Sequence, residues 1–91
     1  MLSERIIRKE CINISNKLNV FVTATKFEET DEHVSCQLRV VFPSIDGRKG
    51  RESVFRKAIT KNVRGDFKDH VFWEIEEAIE YKWIEQLRRA E

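Results

Sequence analysis

The chain has 91 residues, 41% apolar and 36% charged, with a net charge of +1. At roughly 100–200 residues per domain this is one domain, with room for a single small core and none for a large internal active-site cavity. Three glycines and one proline exclude collagen-like repeats and long disordered linkers, and no uncharged run approaches the about 20 residues of a membrane span.

Charges interrupt the first ten residues, Met1 to Glu10, so the apolar stretch of a secretory leader is missing. A cytoplasmic location is expected. Cys11 and Cys36 fit it, because a reduced, buried thiol is the common state inside cells. The near-zero net charge conceals an uneven distribution: residues 1–36 carry −1, residues 37–65 carry +6 and residues 66–91 carry −4. A basic middle third is an argument about partners, not about fold.

In chain order, Ser3 is a helix cap with Glu4 in the first turn. Leu2, Ile6, Ile7, Cys11 and Ile14 share one helical face, which predicts a helix over 3–14. A strand over Glu10–Ser15 is the rival, since Ile12 and Ile14 alternate. Residues 20–27 are β-branched and aromatic; Val20, Val22 and Ala24 face one way, Phe21, Thr23, Thr25 and Phe27 the other. After the acidic loop Glu28–Glu32 comes a second strand, His33 to Phe42, with Val34, Cys36, Leu38 and Val40 on its apolar face. The two strands form an antiparallel hairpin. Pro43 and Asp46-Gly47 end it.

Arg48-Lys49-Gly50-Arg51 is then a basic loop. Val54, Phe55, Ala58, Ile59 and Val63 predict a helix from about residue 52 or 53 to 64, with Arg56, Lys57, Thr60, Lys61 and Arg64 on its other side. Arg64-Gly65-Asp66 breaks it, and Phe67 to Ala90 is a long final helix. The expected fold is a small single α+β domain over residues 1–91 in α-β-β-α-α order, with an antiparallel hairpin packed on the C-terminal helix. A hairpin alone is marginal in water. Either a third strand or a partner chain must complete it, and a homodimer through the last helix or the hairpin is expected.

The strongest chemical signal is basic. Arg48, Lys49 and Arg51 on the glycine-flanked loop, with Arg56, Lys57, Lys61 and Arg64 on the following helix, suit phosphate contact along DNA or RNA. A solvated helix face accounts for the same cations. The element order over about residues 3–63 is similar to that of the double-stranded-RNA-binding domain, with Arg48-Lys49-Gly50-Arg51 in place of that family's lysine-rich start to a long final helix. That family has three strands; two are read here, with an additional helix.

The second signal is aromatic. Trp73, Tyr81, Trp83 and Ile84 crowd the last helix, and Trp73, Trp83 and Ile84 make a protein interface or complete a small core. The acidic loop is a solvated turn, a cation site lacking the calcium-loop glycine, or part of a partner surface. No CxxC, HExxH or nucleophile-elbow pattern exists, so no metal and no cofactor are expected. A small ribonuclease using His33 and His70 is the most coherent enzyme reading and ranks third. The expected function is non-enzymatic nucleic-acid binding through residues 48–64. The alternative is a regulator or inhibitor that docks on a protein through the C-terminal helix and the acidic loop.

Overall fold

A computed structural model describes residues 2–43 and 51–90, with side chains through Glu85. The elements are α1 (Glu4–Leu18), β1 (Phe21–Glu29), β2 (His33–Val41), β3 (Glu52–Thr60) and α2 (Phe67–Ala90). The α+β class and the hairpin are as expected. The order is α-β-β-β-α, so the third element is a strand and not the predicted helix.

Ser3 caps α1 in extended conformation, its hydroxyl accepting from the Ile6 N–H at 3.4 Å. The helix runs four residues past the expected end and stops at Asn19, which is left-handed at φ 54°. Ser15 makes that extension useful. Its hydroxyl donates to the Cys11 carbonyl at 2.8 Å and accepts from the Val22 N–H at 3.1 Å, which ties the helix end to the first strand. Ile7, Cys11 and Ile14 are buried on one helical face, so the period is helical and the rival strand reading fails.

The sheet is antiparallel with β2 in the centre. Val34, Cys36, Leu38 and Val40 alternate inward and are fully or almost fully buried. In β1, Val22 and Ala24 face in, as alternation requires. Phe27 departs from it. Lys26 adopts φ 51° and the register shifts between Thr25 and Glu28. This bulge turns Phe27 toward the core, where Arg8 of α1 lies over its ring at 4.9 Å.

The segment read as a basic helix is β3, and the reason lies in β2. A central strand needs partners on both edges, and β3 pairs with it residue by residue from Glu52–Val41 to Thr60–His33. Period two places Phe55 opposite Leu38 and Ile59 opposite Val34, and Ile59 is fully buried. Phe55 and Ile59 are also four apart, so one apolar pair satisfies either period. Long-range pairing decides between them. Gly65 at φ 102° then turns the chain, and Asp66 caps α2 by accepting from the Lys68 N–H at 2.8 Å.

Both helices cover the same face of the sheet. Ile7, Cys11 and Ile14 from α1 and Val71, Ile75 and Ile79 from α2 close over Val22, Val34, Leu38, Val40 and Ile59. Lys17 joins the helices through Glu76 at 2.6 Å, and Lys57 joins β3 to α2 through Glu74 at 2.6 Å. Ile75→Ala should lower unfolding free energy by about 2–5 kcal/mol. Trp73→Ala, on the outward side of the same helix, should change it by no more than about 0.5 kcal/mol. Chemical denaturation of the two variants checks this layering, which equal losses would contradict.

Candidate functional site: the α2 surface and the dispersed cations

The strand β3 sends neighbouring residues to opposite faces, so the cations expected on one helix side are split. Arg56 lies on the open face of the sheet. Its guanidinium donates to the Lys26 carbonyl at 3.2 Å and to the Ser35 hydroxyl at 3.1 Å, with Glu28 at 3.9 Å. Lys57 lies on the helix face, paired with Glu74. Lys61 pairs with Glu29. Arg51 and Arg64 are exposed, before β3 and in the turn after it. Arg48 and Lys49 lie outside the described residues. Among the described cations of the set, three contact carboxylates of this chain, and the five are spread over two faces and both ends of the strand.

Helix α2 has two apolar sides. Val71, Ile75 and Ile79 point into the core. Trp73, Tyr81 and Ile84 point away from it, at 55%, 68% and 49% exposure. At 100° per residue, Glu77 falls between them and Glu80 about 20° beyond Trp73, on the same outer arc. Trp83 sits on the flank toward α1 and β2, its ring tilted 35° against Phe42 with centroids 4.7 Å apart. The predicted trio is therefore not one patch: Trp73 and Ile84 stand on the outer arc, about three turns apart, while Trp83 packs on the flank against Phe42 and meets Ile84 at a groove.

That groove has a volume of about 420 Å³ and runs between the end of α1, the end of β2 and the second half of α2. Leu18, Val20, Phe42, Ile79, Trp83 and Ile84 line it, with Glu80 the one ionised lining group among the described residues. It can take an apolar side chain and offer a carboxylate to a neighbouring cation. Sequence reasoning missed Leu18, Val20 and Phe42 here. Each ends or borders its element, and only the closed hairpin sets the three beside one another. The acidic loop lies at the other end of β1, a strand's length from this groove. Thr30 organises that turn, its N–H donating to the His33 carbonyl at 2.8 Å and its hydroxyl accepting from the His33 N–H at 3.0 Å.

His33 is exposed at the start of β2, and Cys36 is buried three residues on. His70 is in the first turn of α2, its Nε2 buried and without a hydrogen-bond partner among the described residues. Among the described residues, no three of His, Cys, Asp or Glu are grouped to hold a metal ion, and no helix is long and apolar enough to cross a membrane. No protein-family model, curated protein or solved structure matches the chain.

Cys11 and Cys36 are free thiols in the core. Burial pushes Cys11 up to about 12, with a further rise from Cys36 and an opposing pull from Arg8. Burial lifts Cys36 to about 11, opposed by Arg56. Both exceed the ordinary value of 9.0, so the folded chain holds these protons more tightly than the unfolded chain. Their contribution to stability is whole below pH 9.0 and is lost as pH rises toward 11 and 12. Tm should fall across that window, and fall less steeply in Cys11→Ala/Cys36→Ala. Near pH 8 a thiol reagent should label the native protein far more slowly than the unfolded chain. Equal labelling rates would contradict this burial.

Proposed function

We propose that the chain is a non-enzymatic protein-docking module, a regulator or inhibitor in kind, whose contact surface is the second half of α2. The observation that carries this reading is Ile84, half exposed beside Trp83 at the rim of an apolar groove with one carboxylate, Glu80. Large exposed apolar side chains gathered at a groove are uncommon on a surface with no partner. The partner that suits the slot is an amphipathic segment with one large apolar side chain and a lysine or arginine close by.

Phosphate binding to DNA or RNA is the second reading. The helix, three strands and helix in order, similar to the double-stranded-RNA-binding domain, support it, as do the exposed Arg51 and Arg64. Fold alone does not carry function. The start of α2, Asp66-Phe67-Lys68-Asp69-His70, lacks that family's lysine-rich pattern. Four carboxylates, Glu28, Glu29, Asp31 and Glu32, gather at the same end of the sheet.

A photo-reactive side chain at position 84 should crosslink a discrete partner in a lysate of the native host, and one at position 12, exposed on α1, should not. Ile84→Glu should abolish capture of that partner with little change in Tm, and Arg51→Glu should leave it intact. Capture that survives Ile84→Glu would overturn the docking reading. Labelled DNA and RNA, titrated at about 50 and 200 mM salt, test the second reading: several phosphate contacts would cost orders of magnitude in affinity between the two. Absence of binding at the lower salt removes it.

A further inference from the structure

We propose that the edge of β3 that no described strand covers pairs antiparallel with the same strand of a second copy over residues 52–56, about a two-fold axis through Val54, to give one sheet of six strands. The sheet has two edges, and they differ. The β1 edge is broken by the bulge at Lys26 and ends in Glu28 and Glu29, devices that discourage strand addition. The β3 edge is unbroken. Its nine residues hold constant register with β2 and include no proline or glycine.

Two backbone bonds set which way each residue of β3 points. The Phe42 N–H donates to the Arg51 carbonyl at 2.9 Å, and the Lys61 N–H donates to the Glu32 carbonyl at 2.8 Å. Residues 51 and 61 therefore face β2. Antiparallel ladders alternate, so the odd-numbered residues between them also face β2. Glu52, Val54, Arg56, Ala58 and Thr60 then direct their N–H and carbonyl groups outward, along the edge that no described strand covers.

The side chains of these five residues lie on the open face, and their order selects both the occupant and the register. An acid, an apolar residue and a base stand at 52, 54 and 56. Read in the opposite direction, that order is its own complement, as a two-fold interface requires. Centring on Val54 sets Glu52 opposite Arg56 of the second copy, twice. Centring on Arg56 opposes two guanidinium groups, and centring on Glu52 opposes two carboxylates. Val54, 49% exposed, meets its own equivalent. Within the chain Glu52 binds Arg39 at 2.8 Å and Arg56 reaches over the sheet to Lys26, exposed contacts that the pairing exchanges for Arg56 and Glu52 of the second copy. On the helix side of the same edge, the cleft between β3 and α2 holds Trp73 and Tyr81, apolar area for the α2 of the second copy. The groove at Leu18 and Phe42 is on the opposite flank of α2, so this pairing and the docking reading stand separately.

Sedimentation velocity over a range of concentrations tests the proposal, with circular dichroism confirming that each variant is folded. The wild-type chain should dimerise. Arg56→Glu and Glu52→Arg should each weaken dimerisation at least tenfold, and the double charge swap Glu52→Arg/Arg56→Glu should restore it. Because Arg56 and Glu52 also hold contacts within the chain, a second measurement is independent of them. Val54→Cys should crosslink to its equivalent under oxidised glutathione, since opposed residues of a bonded antiparallel pair lie about 5.5 Å apart, within disulfide reach. The native thiols, Cys11 and Cys36, are buried and should not compete. A wild-type chain that stays monomeric would overturn the pairing. A dimer indifferent to the single charge reversals and not trapped through position 54 would also overturn it.

Discussion

Strand β2 is paired along both edges, and its four inward side chains, Val34, Cys36, Leu38 and Val40, lie under two helices. Every other feature of the molecule is arranged around that strand. A hairpin of β1 and β2 alone would leave one row of backbone groups on β2 without partners and expose half of its apolar face. The addition of β3 satisfies the backbone and brings Phe55 and Ile59 against Leu38 and Val34. The third strand also widens the floor enough for α1 and α2 to lie side by side, joined by Lys17 and Glu76.

The same pairing governs the charges. On a helix, Arg56, Lys57, Lys61 and Arg64 would have formed one basic side. On a strand, Arg56 and Lys57 go to opposite faces and find different partners, Glu28 with the Lys26 carbonyl for one and Glu74 for the other. Part of the positive charge of the middle third thereby holds the domain together: Lys57 joins the sheet to α2, and Lys61 joins β3 to the end of β1. Among the described residues, the exposed apolar side chains of α2 are Ile84, beside the groove at Trp83, and Trp73 and Tyr81 on the outer arc.

Four of the five elements could be read from residue patterns. Ser3 and Asp66 mark helix starts by capping chemistry that needs only a few neighbouring residues. The alternation in β2 is legible because one face is fully apolar and the other polar. Helix α2 is legible because three buried residues, Val71, Ile75 and Ile79, repeat every four. Elsewhere the reading fell short where a signal was ambiguous or absent. Phe27 was assigned to the wrong face because a bulge leaves no mark in the alternation until the register is known. Trp73 and Trp83 looked alike in sequence; ten residues apart on a helix, they point about 80° from each other, and only the position of Phe42 shows which of them packs inward.

The α+β class, the single core, the first hairpin and the long last helix are legible in the order of the residues. Each of these rests on interactions between residues close in the chain, or on a periodicity that has one interpretation. The tertiary structure alone decided the state of residues 52–60, and with it the fate of the basic segment. Phe55 and Ile59 fit a helix and a strand equally well, so local preference is nearly neutral there. The choice is made by the unpaired edge of β2, a partner eleven to twenty-seven residues away in sequence, whose backbone hydrogen bonds no local pattern can register.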